Sequence, residues 1–171
     1  MSPYNIIYKL KLMYSLSTLT VLLEEIPQLV KPFHPQLTRT FVKSASDPGG
    51  LSIRSRAAAG LGALMKHQPR VDPVVTELIG GVRGADNDIA PSIVLALAAV
   101  CKSAGKNIGE GVRGSVVELV EEAFMGGRNG MSPMWLMRRE VLMIETYDKA
   151  IARVVSGLAA NDPEFIRSVV E

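Results

Sequence analysis

The sequence predicts an all-α solenoid built from stacked pairs of helices, and three observations carry that prediction. Apolar residues recur three and four apart between regular Pro- and Gly-rich breaks, and no segment sustains the period of two that a half-buried strand requires. Hydrophobic residues make up 47% of the chain but aromatics only 5%, so Leu, Val, Ile, Ala and Met must build the core. That composition suits close-packed helices better than a sandwich of Tyr- and Phe-bearing strands. The pattern also repeats: Ile53-Arg54, Ala57-Ala58 and Leu61-Gly62 match Ile89-Ala90, Ile93-Val94 and Leu97-Ala98 at an offset of 89 − 53 = 36 residues.

The elements follow in order. Lys9 and Lys11 precede the apolar stretch Leu12 to Leu23, a loose imitation of a signal peptide. However, Leu12, Leu16, Leu19, Leu23 and Ile26 lie on one helix face, and that stripe runs past Glu24-Glu25, which a cleaved signal would not need. Residues 1–30 are therefore expected to form an amphipathic helix. With no uncharged apolar run of the roughly 18–20 residues that a membrane span requires, no membrane association is expected. Pro27, Pro32 and Pro35 close this segment and open the next.

A first repeat is expected over 31–70, turning at Asp47-Pro48-Gly49-Gly50, and a second over 71–106, starting at Asp72-Pro73. Leu37 and Phe41 of the first parallel Val75 and Ile79 of the second, as do Val116 and Val120 further on. A third copy (Ala150-Ile151, Val154-Val155, Leu158-Ala159) starts 150 − 89 = 61 residues after the second, so the third repeat, 107–171, carries an insertion at about 125–148. Met134, Met137, Val141 and Ile144 suggest a supernumerary helix there; translated intron is the alternative. Trp135 falls in the same segment.

Each unit is thus a helix, a tight turn and a second helix rich in small residues, which cannot bury its apolar face alone. Asp47 before the turn and Ile53-Arg54 after it form a HEAT-type signature, with Arg54 the expected partner of Asp47 across neighbouring turns. The pieces VKPFHPQLTRTFVKSASDP, RSRAAAGLGALMK and RVDPVVTELIGGVR, in order between Val30 and Phe124, resemble the C-terminal part of the general-control translational activator, the large HEAT-repeat activator of the initiation factor 2α kinase. The resemblance implies a cytoplasmic, non-enzymatic scaffold that binds the RWD domain of the starvation-sensing kinase and related RWD-bearing regulators, with the ribosome as a further expected partner. An RNA- or ribosome-contacting repeat, or a truncated product without independent function, are the rival readings.

Motifs of catalysis are weak. Gly109-Glu110-Gly111-Val112-Arg113-Gly114 spells G-x-G-x-x-G, but it follows a helical segment instead of the strand that a dinucleotide site demands. His34 and His67 have no Cys, Asp or Glu at metal-ligand spacing. Glu118, Glu121 and Glu122 read as a solvated face. Cys101, the one cysteine, sits in an apolar run where a buried inert thiol is expected. No cofactor, metal or small-molecule substrate is expected. The formal charge of +2 does not announce a nucleic-acid binder. The candidate partner-binding residues are Arg54, Arg56, Lys66 and Arg70, clustered along one helix and its following turn; with Ile53, Ala57, Leu61 and Leu64 on the buried side, Arg56 and Lys66 should face solvent and Arg54 the margin.

Overall fold

The computed structural model describes residues 3–86, 88–128, 141–161 and 164, and among them no strand occurs. A long helix α1 (Pro3–Glu25) leads through the single turn α2 (Pro27–Val30) and a 3-10 turn into three helix pairs. These are α3 (His34–Ala45) with α4 (Leu51–Met65), α5 (Asp72–Gly84) with α6 (Ala90–Ala104), and α7 (Glu110–Arg128) with α8 (Val141–Asn161). Pro27, Pro35, Pro73 and Pro91 stand in the first two positions of their helices, where a missing N–H breaks no helical bond. Between α3 and α4, the Gly49 N–H donates to Asp47 Oδ1 and Gly50 adopts φ +141°, a region that L side chains rarely enter.

The helices form two layers. The second helices of the pairs lie side by side in the order α4, α6, α8, and α1 extends that layer beyond α4; α3, α5 and α7 form the other layer. The chain is an all-α helical repeat, as the spacing predicted. Leu16 and Leu23 of α1 are fully buried on the α4 side, whereas Ile26 is exposed at the helix end. By length and composition alone α1 could cross a membrane, since an 18-residue stretch within Asn5–Glu25 has a mean hydropathy of 1.4 even though it includes Lys9 and Lys11.

Glycine sets the spacing inside the second-helix layer. A Cβ on Gly62 would press on Ala99, and one on Gly157 would come within 2.9 Å of the Lys102 backbone, so α4 and α8 both approach α6 through positions without a side chain. Gly60 faces the other layer: a Cβ there would overlap the ring of Phe41, which is fully buried.

The structural period differs from the expected 36. The first helices start at His34, Asp72 and Glu110, giving 72 − 34 = 38 and 110 − 72 = 38, and the second helices start at Leu51 and Ala90, giving 90 − 51 = 39. The match at 36 joins second helices, where the slip is 39 − 36 = 3 residues, within one residue of a full turn of about 3.6, so the same apolar face satisfies both registers. In the first helices the parallel of Leu37 with Val75 already has the offset 75 − 37 = 38. Polar ties between neighbouring repeats carry the true period: Arg54 Nε donates to Ser92 Oγ, 38 residues on, the Gly109 N–H to Asp72 Oδ1, 37 apart, and Arg83 pairs with Glu122, 39 apart.

The expected interruption at about 125–148 is also redrawn. Residues 125–128 continue α7 and 141–148 belong to α8; 129–140, including Met134, Trp135 and Met137, lie outside the described residues. Tyr147 of α8 is fully buried, so α8 packs into the stack from that residue on. The sequence does not separate Val141 and Ile144 from the insertion, because their spacing runs without a break into Tyr147, Ile151, Val154 and Leu158, and an uninterrupted period marks no helix boundary. The expected third copy does lie in α8, where Ala150, Ile151, Val154 and Leu158 are buried.

Two matched pairs of substitutions test this packing by urea unfolding. Gly60→Ala must displace Phe41 and should cost about 1–3 kcal/mol, whereas Gly80→Ala, in a helix with open space around it, should stabilise by about 0.5–1 kcal/mol. Arg54→Ala should cost about 2–3 kcal/mol and Arg56→Ala less than about 1 kcal/mol, because only the former leaves buried partners unsatisfied; Arg54→Lys should not restore stability, lacking the planar fork that reaches several acceptors.

Candidate docking surface

The structure disperses the four basic residues that lie together in the sequence. Arg54 is 8% exposed. Its Nε donates to Ser92 Oγ at 2.8 Å, one terminal nitrogen to the Asp47 carbonyl at 3.0 Å and the other to the Asp88 carbonyl at 3.4 Å. It therefore joins its own turn to that of the next repeat. Asp47 is its partner, as expected, but through the main-chain carbonyl just beyond α3, where a cation also favours the helix dipole. Arg56, expected to face away, is half-buried against α1: Nε donates to Ser17 Oγ at 3.1 Å and a terminal nitrogen to the Ser52 carbonyl. Only Lys66 and Arg70 are exposed, and they line different clefts.

Arg70 stands beside Asp72 and Asn107 at the turn between repeats. Lys66 lines a shallow groove with Glu24, Ala59, Ala99 and Lys102 on the outer face of the second-helix layer. That groove shares Ala59, Ala99 and Lys102 with a second one of about 450 Å³ that runs on to Arg153, Ser156 and Ala160 of α8. The two make one continuous track across α4, α6 and α8, floored by small side chains and bordered by the exposed cations Lys66, Lys102 and Arg153. Lys102 and Arg153 escaped the sequence reading. Lys102 could have been found, since 102 − 66 = 36 repeats the offset of the apolar match; Arg153 could not, because the third repeat is out of step.

On the other layer, a groove between α3 and α5 carries mixed charge, with Arg39 and Lys43 on one wall and Glu77 and Asp86 on the other. The G-x-G-x-x-G stretch forms the turn into α7 and that helix's first residues. Gly111 and Gly114 have open space around them, while Gly109 lets its N–H reach Asp72. No cluster of three potential metal ligands occurs among the described residues. Cys101 is fully buried, and burial pushes its thiol up to about 12.

His34 opens α3 and is 6% exposed; its Nε2 meets no hydrogen-bond partner among the described residues. Burial first, and then the positive charges of His67 and Lys31, hold it below its ordinary value of 6.5. The folded state thus favours neutral imidazole. Stability from this group is complete above the unfolded value near 6.5 and is lost as pH falls through the lower folded value. Thermal melting should therefore decline on acidification from pH 7 towards pH 5 more steeply in the parent than in His34→Leu, and parallel profiles would contradict the assignment.

No family model and no solved structure matches the chain. It is 44% identical over 118 residues to eIF-2-alpha kinase activator GCN1 of Saccharomyces cerevisiae, a match covering 68% of this chain and 4% of that protein. It is 39% identical over 107 residues to Protein ILITYHIA of Arabidopsis thaliana, and 37% identical over 106 residues to Stalled ribosome sensor GCN1 of Mus musculus, covering 63% and 61% of this chain. Both matches again take in only 4% of the relative. Over the matched two thirds of its length, this helical repeat is a homologue of a short stretch of the GCN1 eIF-2-alpha kinase activators.

Proposed function

We propose that this chain is a cytoplasmic, non-enzymatic HEAT-type scaffold that docks the RWD domain of an initiation factor 2α kinase. The homology to kinase activators carries this reading. The track across α4, α6 and α8 supports it, because it offers a broad shallow surface of the kind on which solenoids seat folded partners. Small residues along its floor let a partner approach the helix backbones, and Lys66, Lys102 and Arg153 at its border complement an acidic surface. Arg54 and Arg56 act from inside, by holding the repeats in register. A second reading, contact with ribosomal RNA, is favoured by the same exposed cations and by the name of the mouse relative.

Isothermal titration with the isolated RWD domain tests the first reading. Charge reversal at Lys66, Lys102 or Arg153 should each weaken binding by about tenfold, whereas Arg39→Glu, on the opposite layer, should leave it unchanged. Loss of affinity in Arg39→Glu alone would move the site to the groove between α3 and α5. Failure to bind the domain, together with RNA binding whose logarithm falls steeply with that of salt, would establish the second reading.

A further inference from the structure

α1 carries two apolar faces, and the structure uses only one. Leu12, Leu16, Leu19 and Leu23 lie against α4 and the core. On the opposite side of the helix, at spacings of three, four and seven, stand Ile7, Leu10, Tyr14 and Val21, which are 52%, 44%, 71% and 55% exposed. A helix apolar on both sides is built to be enclosed, and most of the large exposed hydrophobic residues of the described chain fall on this one element. Ile7, Tyr14 and Val21 stand seven residues apart, the repeat of a helix that packs lengthwise against another.

The charges flanking this face discriminate between ways of covering it. Lys11 stands near its start, and Glu24 and Glu25 at its end; all three are exposed. A parallel copy of the same helix would set like charges side by side. An antiparallel copy, centred between Ser17 and Thr18, sets Lys11 of each helix opposite Glu24 of the other and Tyr14 opposite Val21, with Glu25 beside them opposite Leu10. Complementarity of this kind arises from a two-fold axis, in which each copy presents the same patch to the other.

We propose that the outer face of α1 is a self-association surface on which a second copy of this chain docks with its α1 antiparallel. The pairing joins the two second-helix layers edge to edge through α1, and of the residues that line the track it engages Glu24.

Sedimentation equilibrium of the full chain tests this, with circular dichroism and thermal melting as controls on folding. The parent should sediment as a dimer. Val21→Glu should raise the dissociation constant by about a hundredfold or more, since the two-fold axis buries the new carboxylate twice, and should leave helix content unchanged. Lys11→Glu should also weaken the dimer, and Lys11→Glu combined with Glu24→Lys and Glu25→Lys should restore it. Thr18→Cys, close to the axis, should form a disulfide between copies on mild oxidation, while the buried Cys101 of the parent should not. A monomeric parent at high micromolar concentration would overturn the proposal, as would a dimer indifferent to Val21→Glu or a triple charge swap that fails to rescue. Binding of a monomeric parent to phosphatidylcholine vesicles would assign the face to a bilayer instead.

Discussion

The close approach of the second helices is the constraint from which the rest of the molecule follows. A single helical hairpin leaves one apolar face open, so its stability depends on its neighbours. Here α6 lies between α4 and α8, and both reach it through a glycine, Gly62 on one side and Gly157 on the other. Bringing helix backbones together in this way lets small side chains such as Ala57, Ala96 and Ala98 fill the space completely. The same economy of side-chain volume leaves the outer face of the layer shallow and small-floored, and that outer face is the track proposed to seat a partner.

Apolar packing of this kind is tolerant of sliding by one turn, because the same face returns. Polar contacts remove that freedom. Arg54 spans from the Asp47 carbonyl to Ser92, Asp72 receives the N–H at the head of α7, and the Asn161 amide donates to the Cys101 and Lys102 carbonyls at the far end of the layer. Each bond joins adjacent repeats, so together they pin the register that van der Waals packing leaves loose. Arg54 matters most among them because it is buried, and a buried donor group without its acceptors would cost more than the bonds themselves contribute. The arginines clustered in the sequence therefore divide by depth, with Arg54 buried between two turns, Arg56 half-buried against α1 and Arg70 exposed.

Homology and geometry address different parts of the question. The relatives are kinase activators and ribosome sensors of which this chain matches 4%, so similarity alone points to a kind of protein and leaves the surface open. The layered arrangement narrows the surface, since cations scattered over more than 80 residues of sequence come to border one track. Charge on such a border sets specificity and the rate of encounter, while the small-floored track decides which shapes can settle.

The helical class, the pairing of helices and the core positions were legible in the sequence, because a period of three and four with proline at the starts admits few other folds. The stripe Leu12, Leu16, Leu19 and Leu23 located α1's buried face, and the run Ile93 to Cys101 located the central helix, by periodicity alone. Register was legible in the first helices, where Leu37 and Val75 stand 38 apart, but not in the second, where a match at 36 and a true period of 39 differ by three residues, less than a turn. Nor was the role of each arginine, since a helical wheel places Arg56 outward without knowing that α1 lies beside it with Ser17 in reach. The limits of the third repeat were hidden for a related reason, as Val141 and Ile144 share the spacing of both an inserted helix and an extended α8. Local chemistry determines which residues are helical and which face is apolar; which helix meets that face depends on three-dimensional adjacency, which no local pattern encodes.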